Sequence, residues 1–416
     1  MIRILHTSDW HLGQTFFGYE RTEEHEHFLD WLAGCLRSEQ VDVLVVAGDV
    51  YDVSNPSAAA QRMFYRFISR VTRENPTLQL VVIAGNHDSA ARLEAPLPLL
   101  QEMRTAIKGV VRKKEGEIDY EDMIVELCNS QGEAEVLCLA VPFLRQGDYP
   151  AVDTAGNPYA AGVKALYNQI LQRAIRCKQP GQAIIALGHL QATGSEIAEK
   201  DHSERTVIGG LECVSPEAFP PSIVYMALGH IHKSQRVSGR ENIRYAGSPL
   251  PMSFAERNYR HGAVLVTIDR GELLSIEQKE YLPLVGLLSI PSGKAEVPGE
   301  VLAQLHALEI QPDPAPYLEV KILLSEPEPM LKQRIEEAVA DKNVRLARIV
   351  PMYHHTVRQE MQEEQTISMG LQQMSPLEIA RLAFERSYNG DMPEELTHLF
   401  QEVCSAVMAA GPAASR

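Results

Sequence analysis

The sequence predicts a layered α/β protein with mixed central sheets flanked by helices, and three observations predict it. Short apolar runs of strand length recur through the first 283 residues, at 2–5, 41–47, 80–84, 123–128, 136–141, 183–187 and 223–228. Between them apolar residues return at helical spacing, as in Phe28, Trp31/Leu32 and Cys35/Leu36, and again in Val163, Leu166/Tyr167, Ile170/Leu171 and Ala174/Ile175. Toward the end of this region, 236–245 and 263–281 have the pattern of antiparallel hairpins, with turns at Ser238-Gly239-Arg240-Glu241 and Asp269-Arg270-Gly271-Glu272. Crossover units make parallel neighbours and hairpins make antiparallel ones, so the sheets should be mixed.

The 416 residues exceed what one core usually organises, so smaller appendages are expected. A Pro- and Gly-containing passage at 283–298 reads as a linker. After it 317–324 reads as a strand, 327–340 as a helix and 344–353 as a strand, which makes a small α+β cap. Beyond Thr356 the chain is polar until Ser375-Pro376-Leu377-Glu378, a capping box with Pro at the first helical position. One helix should follow, and a second should carry Leu396, Leu399/Phe400, Val403 and Val407 on one face. The expected division is therefore 1–283, 284–356 and 357–416, the last a polar linker with a C-terminal helical pair.

Hydrophobic residues make up 45% and charged residues 23%, the balance of a folded globular chain rather than a disordered one. No stretch is long and apolar enough to span a bilayer, and Met1 leads directly into a strand with no signal-like segment, so no membrane association and a cytoplasmic location are expected. Six cysteines without a C-x-x-C pair exclude a thiolate zinc site and a disulfide framework, and read as buried small apolar side chains. A formal net charge of −16 opposes broad nucleic-acid binding. Bound divalent cations would offset several carboxylates locally, and a partner could supply contacts to any nucleic acid. Arg92, Arg104, Lys108, Arg112, Lys113, Lys114, Arg145, Arg257 and Arg260 are the candidate contacts of this chain itself.

The ends of the apolar runs carry the chemistry. Ile4-Leu5 leads through Thr7-Ser8 to Asp9, Val46-Ala47-Gly48 to Asp49, Ile83-Ala84-Gly85 to Asn86, Ala186-Leu187-Gly188 to His189, and Ala227-Leu228-Gly229 to His230. Each strand thus ends in a metal-ligand type, four of the five behind a glycine that permits close backbone approach. Ligands in α/β sheets gather at the carboxyl ends of strands, so these residues can converge. Asp9-x-His11 and His230-x-His232 should each present two ligands on one side of an extended segment, because side chains alternate with period two. A mixed oxygen and nitrogen set suits Mn²⁺ or another first-row ion, and one bridging carboxylate could hold two ions about 3.5–4 Å apart for hydrolysis. Singly, a Gly-Asp is most often a turn and a Gly-His a polar tip; the set of five is not so explained.

In order and spacing, Asp9-Trp10-His11, Gly48-Asp49-Val50-Tyr51-Asp52, Gly85-Asn86-His87-Asp88, Gly188-His189 and Gly229-His230-Ile231-His232 resemble the motifs of calcineurin-like metallophosphoesterases. The opening Ile4-Leu5-His6-Thr7-Ser8-Asp9-Trp10-His11-Leu12-Gly13 and the later Tyr245-Ala246-Gly247-Ser248-Pro249-Leu250 resemble the bacterial SbcD nuclease subunits within that superfamily. The resemblance implies one ion held by Asp9, His11, Asp49 and His232, and a second held by Asn86, His189 and His230, with Asp49 bridging. It leaves His87 as the acid that protonates the leaving oxygen and Asp52 as the residue that orients His87. It implies cleavage of DNA ends and hairpins with two divalent ions, Mn²⁺ first and Mg²⁺ as the alternative. The implied partner is an SbcC-type coiled-coil ATPase, gripped by the C-terminal helices in a complex with two copies of each subunit.

Consistent with an ATPase partner, this chain has no phosphate-binding loop of its own: Pro291-Ser292-Gly293-Lys294 is followed by Ala295 where Ser or Thr is needed. Three rivals stand beside the nuclease. A protein serine/threonine phosphatase would resemble Gly-Asp-x-x-Asp-Arg-Gly and Gly-Asn-His-Glu, whereas Val53-Ser54 and Asp88 occupy those places here. A nucleotidase or cyclic-nucleotide phosphodiesterase is harder to exclude from the catalytic motifs alone. A non-catalytic DNA-end clamp fits less well with ligands at every motif. His25 and His27 are expected on opposite sides of a helix and on its solvated face, and His202, His261, His354 and His355 receive no metal role.

Overall fold

A computed structural model describes residues 1–154, 156–196, 213–309, 311, 313–325 and 328–353, together with ten scattered residues between 377 and 400. In chain order the main strands are β1 (Ile2–Thr7), β2 (Val43–Ala47), β3 (Gln79–Ile83), β4 (Thr105–Lys108), β5 (Ile124–Cys128), β6 (Ala134–Ala140), β7 (Ala183–His189), β8 (Tyr225–Gly229), β9 (Gln235–Val237), β10 (Arg240–Tyr245), β11 (His261–Asp269) and β12 (Glu272–Tyr281). The main helices of this region are α1 (Thr22–Ser38), α2 (Ala58–Glu74) and α3 (Pro158–Cys177).

The strands form two six-stranded sheets, ordered β12-β11-β1-β2-β3-β4 and β9-β10-β8-β7-β6-β5. In the first, β1 to β4 run parallel and the β11/β12 hairpin adds antiparallel to β1. In the second, β6, β7, β8 and β10 are parallel, with β5 and β9 antiparallel at the two edges. Both expected hairpins form, and the turn residues Ser238-Gly239 and Arg270-Gly271 all have positive φ, the geometry that matches strand twist in a two-residue loop.

Period-two alternation assigns the layers. Ile2, Ile4, Val43, Val45, Ala47, Val81 and Ile83 of the first sheet meet Val136, Cys138, Ile185, Leu187, Tyr225 and Ala227 of the second in one core. The opposite faces, with Leu5, Leu44, Val46 and Leu80, pack under α1 and α2 through Phe28, Leu32, Phe64 and Phe67. On the second sheet Leu137, Leu139, Ile184 and Ala186 pack under α3 through Val163, Leu166, Tyr167 and Ile170. The result is a four-layer helix–sheet–sheet–helix stack. Burying each large aliphatic side chain contributes about 1.5–3 kcal/mol, and strands covered on both faces explain the near-continuous apolar runs.

The cap contains β13 (Leu287–Ile290), α4 (Pro298–Ala307), β14 (Tyr317–Leu324), α5 (Leu331–Val339) and β15 (Arg345–Tyr353), the strands ordered β13-β14-β15. The expected linker at 283–298 is thus partly strand, because Leu287–Ile290 pairs in parallel with Tyr317–Val320. The chain divides into two compact units, Met1–Ile322 with Pro329–Val350, and Leu323–Glu328 with Pro351–Arg416.

Two other expectations change. His25 does not lie on a solvated face: it is fully buried beside Phe28 and Leu29, and only His27 is exposed, where its Nδ1 meets Tyr281 Oη at 2.8 Å. Of the described cysteines, Cys138 is buried, Cys177 is exposed, and Cys35, Cys128 and Cys213 are intermediate; all five are free. His202, His354, His355, Cys404 and most of the expected C-terminal helical pair lie outside the described residues. Among the described residues no helix is long and apolar enough to cross a membrane.

Candidate metal centre

Every sequence-predicted ligand comes to one place, the carboxyl ends of β1, β2 and β3 in one sheet and of β7 and β8 in the other. Asp9 and His11 follow β1, Asp49 follows β2, Asn86 follows β3, His189 ends β7, and His230 and His232 follow β8. The site therefore straddles the seam between the sheets. The seam is close: Gly229 leaves no room for a Cβ, which would meet Ala47 O at 2.0 Å, and His189 Nδ1 donates across it to the same carbonyl at 2.9 Å.

The pairing of Asp9 with His11 and of His230 with His232 does not arise from extended backbone as the spacing suggested. β1 ends at Thr7 and β8 at Gly229, and Asp9, His11, Asp49 and His230 have φ of 54, 46, 49 and 100°. Left-handed backbone in non-glycine residues is held only where surroundings over-determine it. Here they do. Trp10, fully buried, packs edge-on against Phe28, Phe64 and Phe67 and donates Nε1–H to Thr7 Oγ1 at 3.0 Å, which pins the residues on either side of it. Backbone bonds run from Asp9 N to Gly48 O and from His11 N to Asp49 O, both 3.0 Å. Asp88 is buried behind them, with Oδ2 accepting from Val50 N and Gly85 N and Oδ1 from Tyr51 N at 2.9–3.1 Å. Burial first, and then the neighbouring Asp49 charge, push the Asp88 carboxyl up to about 6.

Among the described residues three sets place one ligand atom each within 4.8 Å of one another: Asp9, His11 and His232; Asp9, Asp49 and His189; and His11, Asp52 and His87. Asn86 Oδ1 stands 2.9 Å from His189 Nε2 and 3.2 Å from His230 Nδ1. Asp49 lies between, with Oδ2 3.7 Å from His11 Nε2 and 3.3 Å from His189 Nε2. Its other oxygen accepts from His87 N at 2.9 Å. Burial would raise the Asp49 carboxyl, but the imidazoles of His189, His11 and His87 outweigh it and hold it below the usual carboxylate range. Burial would likewise lower His189, and the charges of Asp49 and Asp9 instead hold it at about 9, while burial and the His189 charge push His230 down to about 3.

This donor set fits divalent cations. Buried His11 has no hydrogen bond at Nε2, an arrangement a protein keeps when another group is to occupy the nitrogen. His189 and His232 each place Nδ1 against an oxygen, Ala47 O and Glu256 Oε1, so Nε2 is the nitrogen of each ring that could hold an ion. The oxygen and imidazole chemistry is that of first-row or Mg²⁺-like ions.

His87 stands beside this set with its ring edge-on to His11, centroids 4.8 Å apart. Burial pushes its pKa down, the Asp49 charge working the other way. Its Nδ1 is bonded at 2.7 Å to Asp52, but to the main-chain carbonyl and not to the carboxylate expected to orient it. The Asp52 carboxylate faces His11 instead, Oδ1 lying 3.3 Å from Nδ1. Sequence reasoning missed Glu256, 1% exposed, whose spacing from His232 belongs to no motif. Of the candidate basic contacts, Lys108 is paired with Asp122 and Arg112 with Glu94, whereas exposed Arg145 lies over Phe143, a ring that packs edge-on to His189.

Comparisons with known proteins place the chain in a family. A family model described as calcineurin-like phosphoesterase matches residues 2–234, and one described as Type 5 capsule protein repressor C-terminal domain matches residues 286–388. The SbcD subunit of nuclease SbcCD from Rhodobacter capsulatus is 36% identical over 369 residues, 86% of this chain and 89% of the relative. The SbcD subunit from Escherichia coli K12 is 31% identical over 417 residues, 96% of this chain and 97% of the relative. That of Bacillus subtilis is 32% identical over 278 residues, 65% and 67% of the two chains.

Proposed function

The chain belongs to the calcineurin-like phosphoesterases and, among them, to the SbcD nucleases, and from that premise we propose that it is a two-metal nuclease that hydrolyses DNA phosphodiesters. Its substrates are duplex ends, taken as an exonuclease, and hairpins, opened as an endonuclease, in an ATP-dependent DNA-end processing complex of recombination and repair. The observation that carries the two-metal reading is the Asp49 carboxylate set between His11, which clusters with Asp9 and His232, and His189, which clusters with Asn86 and His230.

Two divalent ions, Mn²⁺ by preference and Mg²⁺ as the alternative, supply the positive charge that polarises a phosphodiester and acidifies a water. Asp9, His11 and His232 would hold one and Asn86, His189 and His230 the other, with Asp49 available to both. His87 keeps Nδ1–H on the Asp52 carbonyl, so its Nε2 is the atom that gives a proton to the leaving 3′ oxygen. Asp52 supports His87 with its backbone and His11 with its carboxylate.

The partner is an SbcC-type coiled-coil ATPase, with two copies of each subunit. The relatives are named as the SbcD subunits of nuclease SbcCD, and this chain lacks a phosphate-binding loop. Residues 1–283 act as the nuclease domain, 284–356 as the cap, and 357–416 as the segment that grips the ATPase as helices in a groove.

The test is metal-dependent cleavage of linear duplex and hairpin DNA beside a nucleotide, a cyclic nucleotide and a phosphopeptide. DNA cleavage with Mn²⁺ and little turnover of the others is expected. Preferential hydrolysis of nucleotides or phosphopeptide overturns the nuclease reading. Truncation before Met374 should spare metal-dependent cleavage while abolishing ATP stimulation and co-purification with the ATPase; undiminished complex formation would remove the tail as the attachment.

A further inference from the structure

His232 is held from behind by a turn that the cap also grips. Glu256 ends a short 3₁₀ turn, Phe254–Glu256, capped by Ser253, and its two carboxylate oxygens are both committed. Oε1 faces His232 Nδ1 at 3.1 Å and Oε2 accepts from Met252 N at 2.9 Å. The preceding residue, Pro251, offers its carbonyl to Arg21 Nη1 at 2.8 Å. Arg21 is itself buried and forks onto Glu24, through Nε to Oε1 at 3.0 Å and Nη2 to Oε2 at 2.8 Å. Glu24 Oε1 then accepts from the hydroxyl of Tyr317 at 2.7 Å, and Tyr317 is the first residue of the cap's central strand.

Packing runs parallel to this chain of bonds. Phe254, Phe16 and Tyr317 form one buried cluster with Val285. Arg348 of β15 lies over both Phe254 and Phe17 at 5.2 Å, and its guanidinium is fixed by the buried Glu319 of β14. The turn that carries Glu256 is thus clamped by cap side chains on one side while it holds a metal-ligand histidine on the other.

We propose that Glu256 is a positioning residue for His232, and that the buried series Tyr317–Glu24–Arg21–Pro251–Met252–Glu256 couples the seating of the cap to the ion that His232 holds. The physical reason is acceptor count. A carboxylate can accept from His232 Nδ1–H and Met252 N–H together, which fixes the tautomer in which Nε2 is the ligand atom. Each member further back is buried and paired, so a change at the cap end cannot be absorbed by solvent. Linkage makes the effect reciprocal: an ion on His232 must steady the cap to the same degree that the cap favours the ion. The proposal rests on the two-metal reading above.

The experiment compares the full-length chain with Glu256→Gln, Tyr317→Phe and the double variant, titrating Mn²⁺ alone by calorimetry and following amide exchange of residues 317–322 with and without Mn²⁺. A glutamine has one acceptor where two are needed, so Glu256→Gln should weaken one of the two ions by about 10–100-fold and leave the other unchanged. Tyr317→Phe removes one hydroxyl far from any ligand and should weaken the same ion by about fivefold. The double variant should be no weaker than Glu256→Gln, since the two changes interrupt one series. Mn²⁺ should slow exchange in β14 of the unaltered chain and not of Glu256→Gln. Equal affinities in all four proteins, additive losses in the double variant, or β14 exchange indifferent to Mn²⁺ would each overturn the proposal while leaving the two-metal reading intact. An unaltered chain that takes up no divalent ion overturns both. Should Glu256→Gln fail to fold, the conservative Tyr317→Phe still decides, by an unchanged or a weakened ion.

Discussion

A single methyl group placed at Gly85 should disable both ions at once. A Cβ on Gly85 would stand 2.1 Å from Asp49 Oδ1, 2.4 Å from Asp49 N and 2.7 Å from Asp49 Cγ. Because the 2.4 Å approach is to backbone, the main chain must also shift, against the bonds that tie Gly85 N to Asp88 Oδ2 and Asp49 O to His11 N. The carboxylate must retreat by about 1 Å, a displacement that costs a positioned group about 100-fold in rate. Crowding of this kind also destabilises a fold by about 1–3 kcal/mol, small enough for the variant to remain folded. Asp49 is common to both ligand groups, so Gly85→Ala should lower both affinities, unlike loss of a terminal ligand such as His232. Circular dichroism on melting verifies the fold, calorimetric titration with Mn²⁺ counts and ranks the ions, and cleavage of linear duplex DNA reads the rate. Two ions at unaltered affinity with undiminished cleavage would refute the reasoning, since the carboxylate would then have been free to move without consequence.

Asp49→Asn should weaken both ions and abolish hydrolysis, because a neutral amide brings no negative charge between two cations; two calorimetric sites of normal affinity would contradict this. His87→Ala should keep both ions and bind DNA yet lose about two to four orders of magnitude in cleavage, the range of a positioned proton donor, with single-turnover kinetics as the measure. Asp52→Asn should be nearly silent toward His87, whose bond is to the backbone carbonyl, whereas Asp52→Ala should weaken the ion that shares His11 by about 10-fold; equal cleavage defects with normal metal binding would favour the carboxylate as the orienting group. Chelation should lower the melting temperature, since an ion at about 100 times its dissociation constant stabilises the folded chain by about 2.7 kcal/mol; identical melting with EDTA and Mn²⁺ would argue against a formed site.

The layered core was legible because strands covered on both faces leave unbroken apolar runs: all five residues of β2 are buried, as Val43-Leu44-Val45-Val46-Ala47 announces. The candidate ligands, and their convergence, were legible because each follows such a run. Helix α2 went unread although Ser57 as cap and Met63, Phe64, Phe67, Ile68 and Val71 at helical spacing carried the signal. His25 was misplaced for a related reason: it precedes Phe28, Leu29 and Leu32 by three, four and seven residues, on the buried stripe of α1. Strand β13 hid among Pro283, Gly286 and Pro291, residues that ordinarily punctuate a loop. The left-handed turns at Asp9, His11, Asp49 and His230 were not readable, since they are imposed by contacts such as Trp10 in its aromatic pocket rather than encoded as glycine. Glu256 lay beyond local reading too, because only the fold brings a residue 24 positions downstream against His232.

The seam between the two sheets also dictates when, during synthesis, the site can exist. Asp9, His11, Asp49 and Asn86 leave the ribosome early, but on the proposed ligand sets each ion also needs histidines from the second sheet, the last of them at position 232. A nascent chain that has completed β1 to β4 carries only half a socket for either cation. Ion capture therefore cannot template the first half of the fold and must follow the docking of one sheet on the other. An ion there would join segments more than 200 residues apart in the chain, as the 2.9 Å hydrogen bond from His230 N to Asp9 Oδ1 also does.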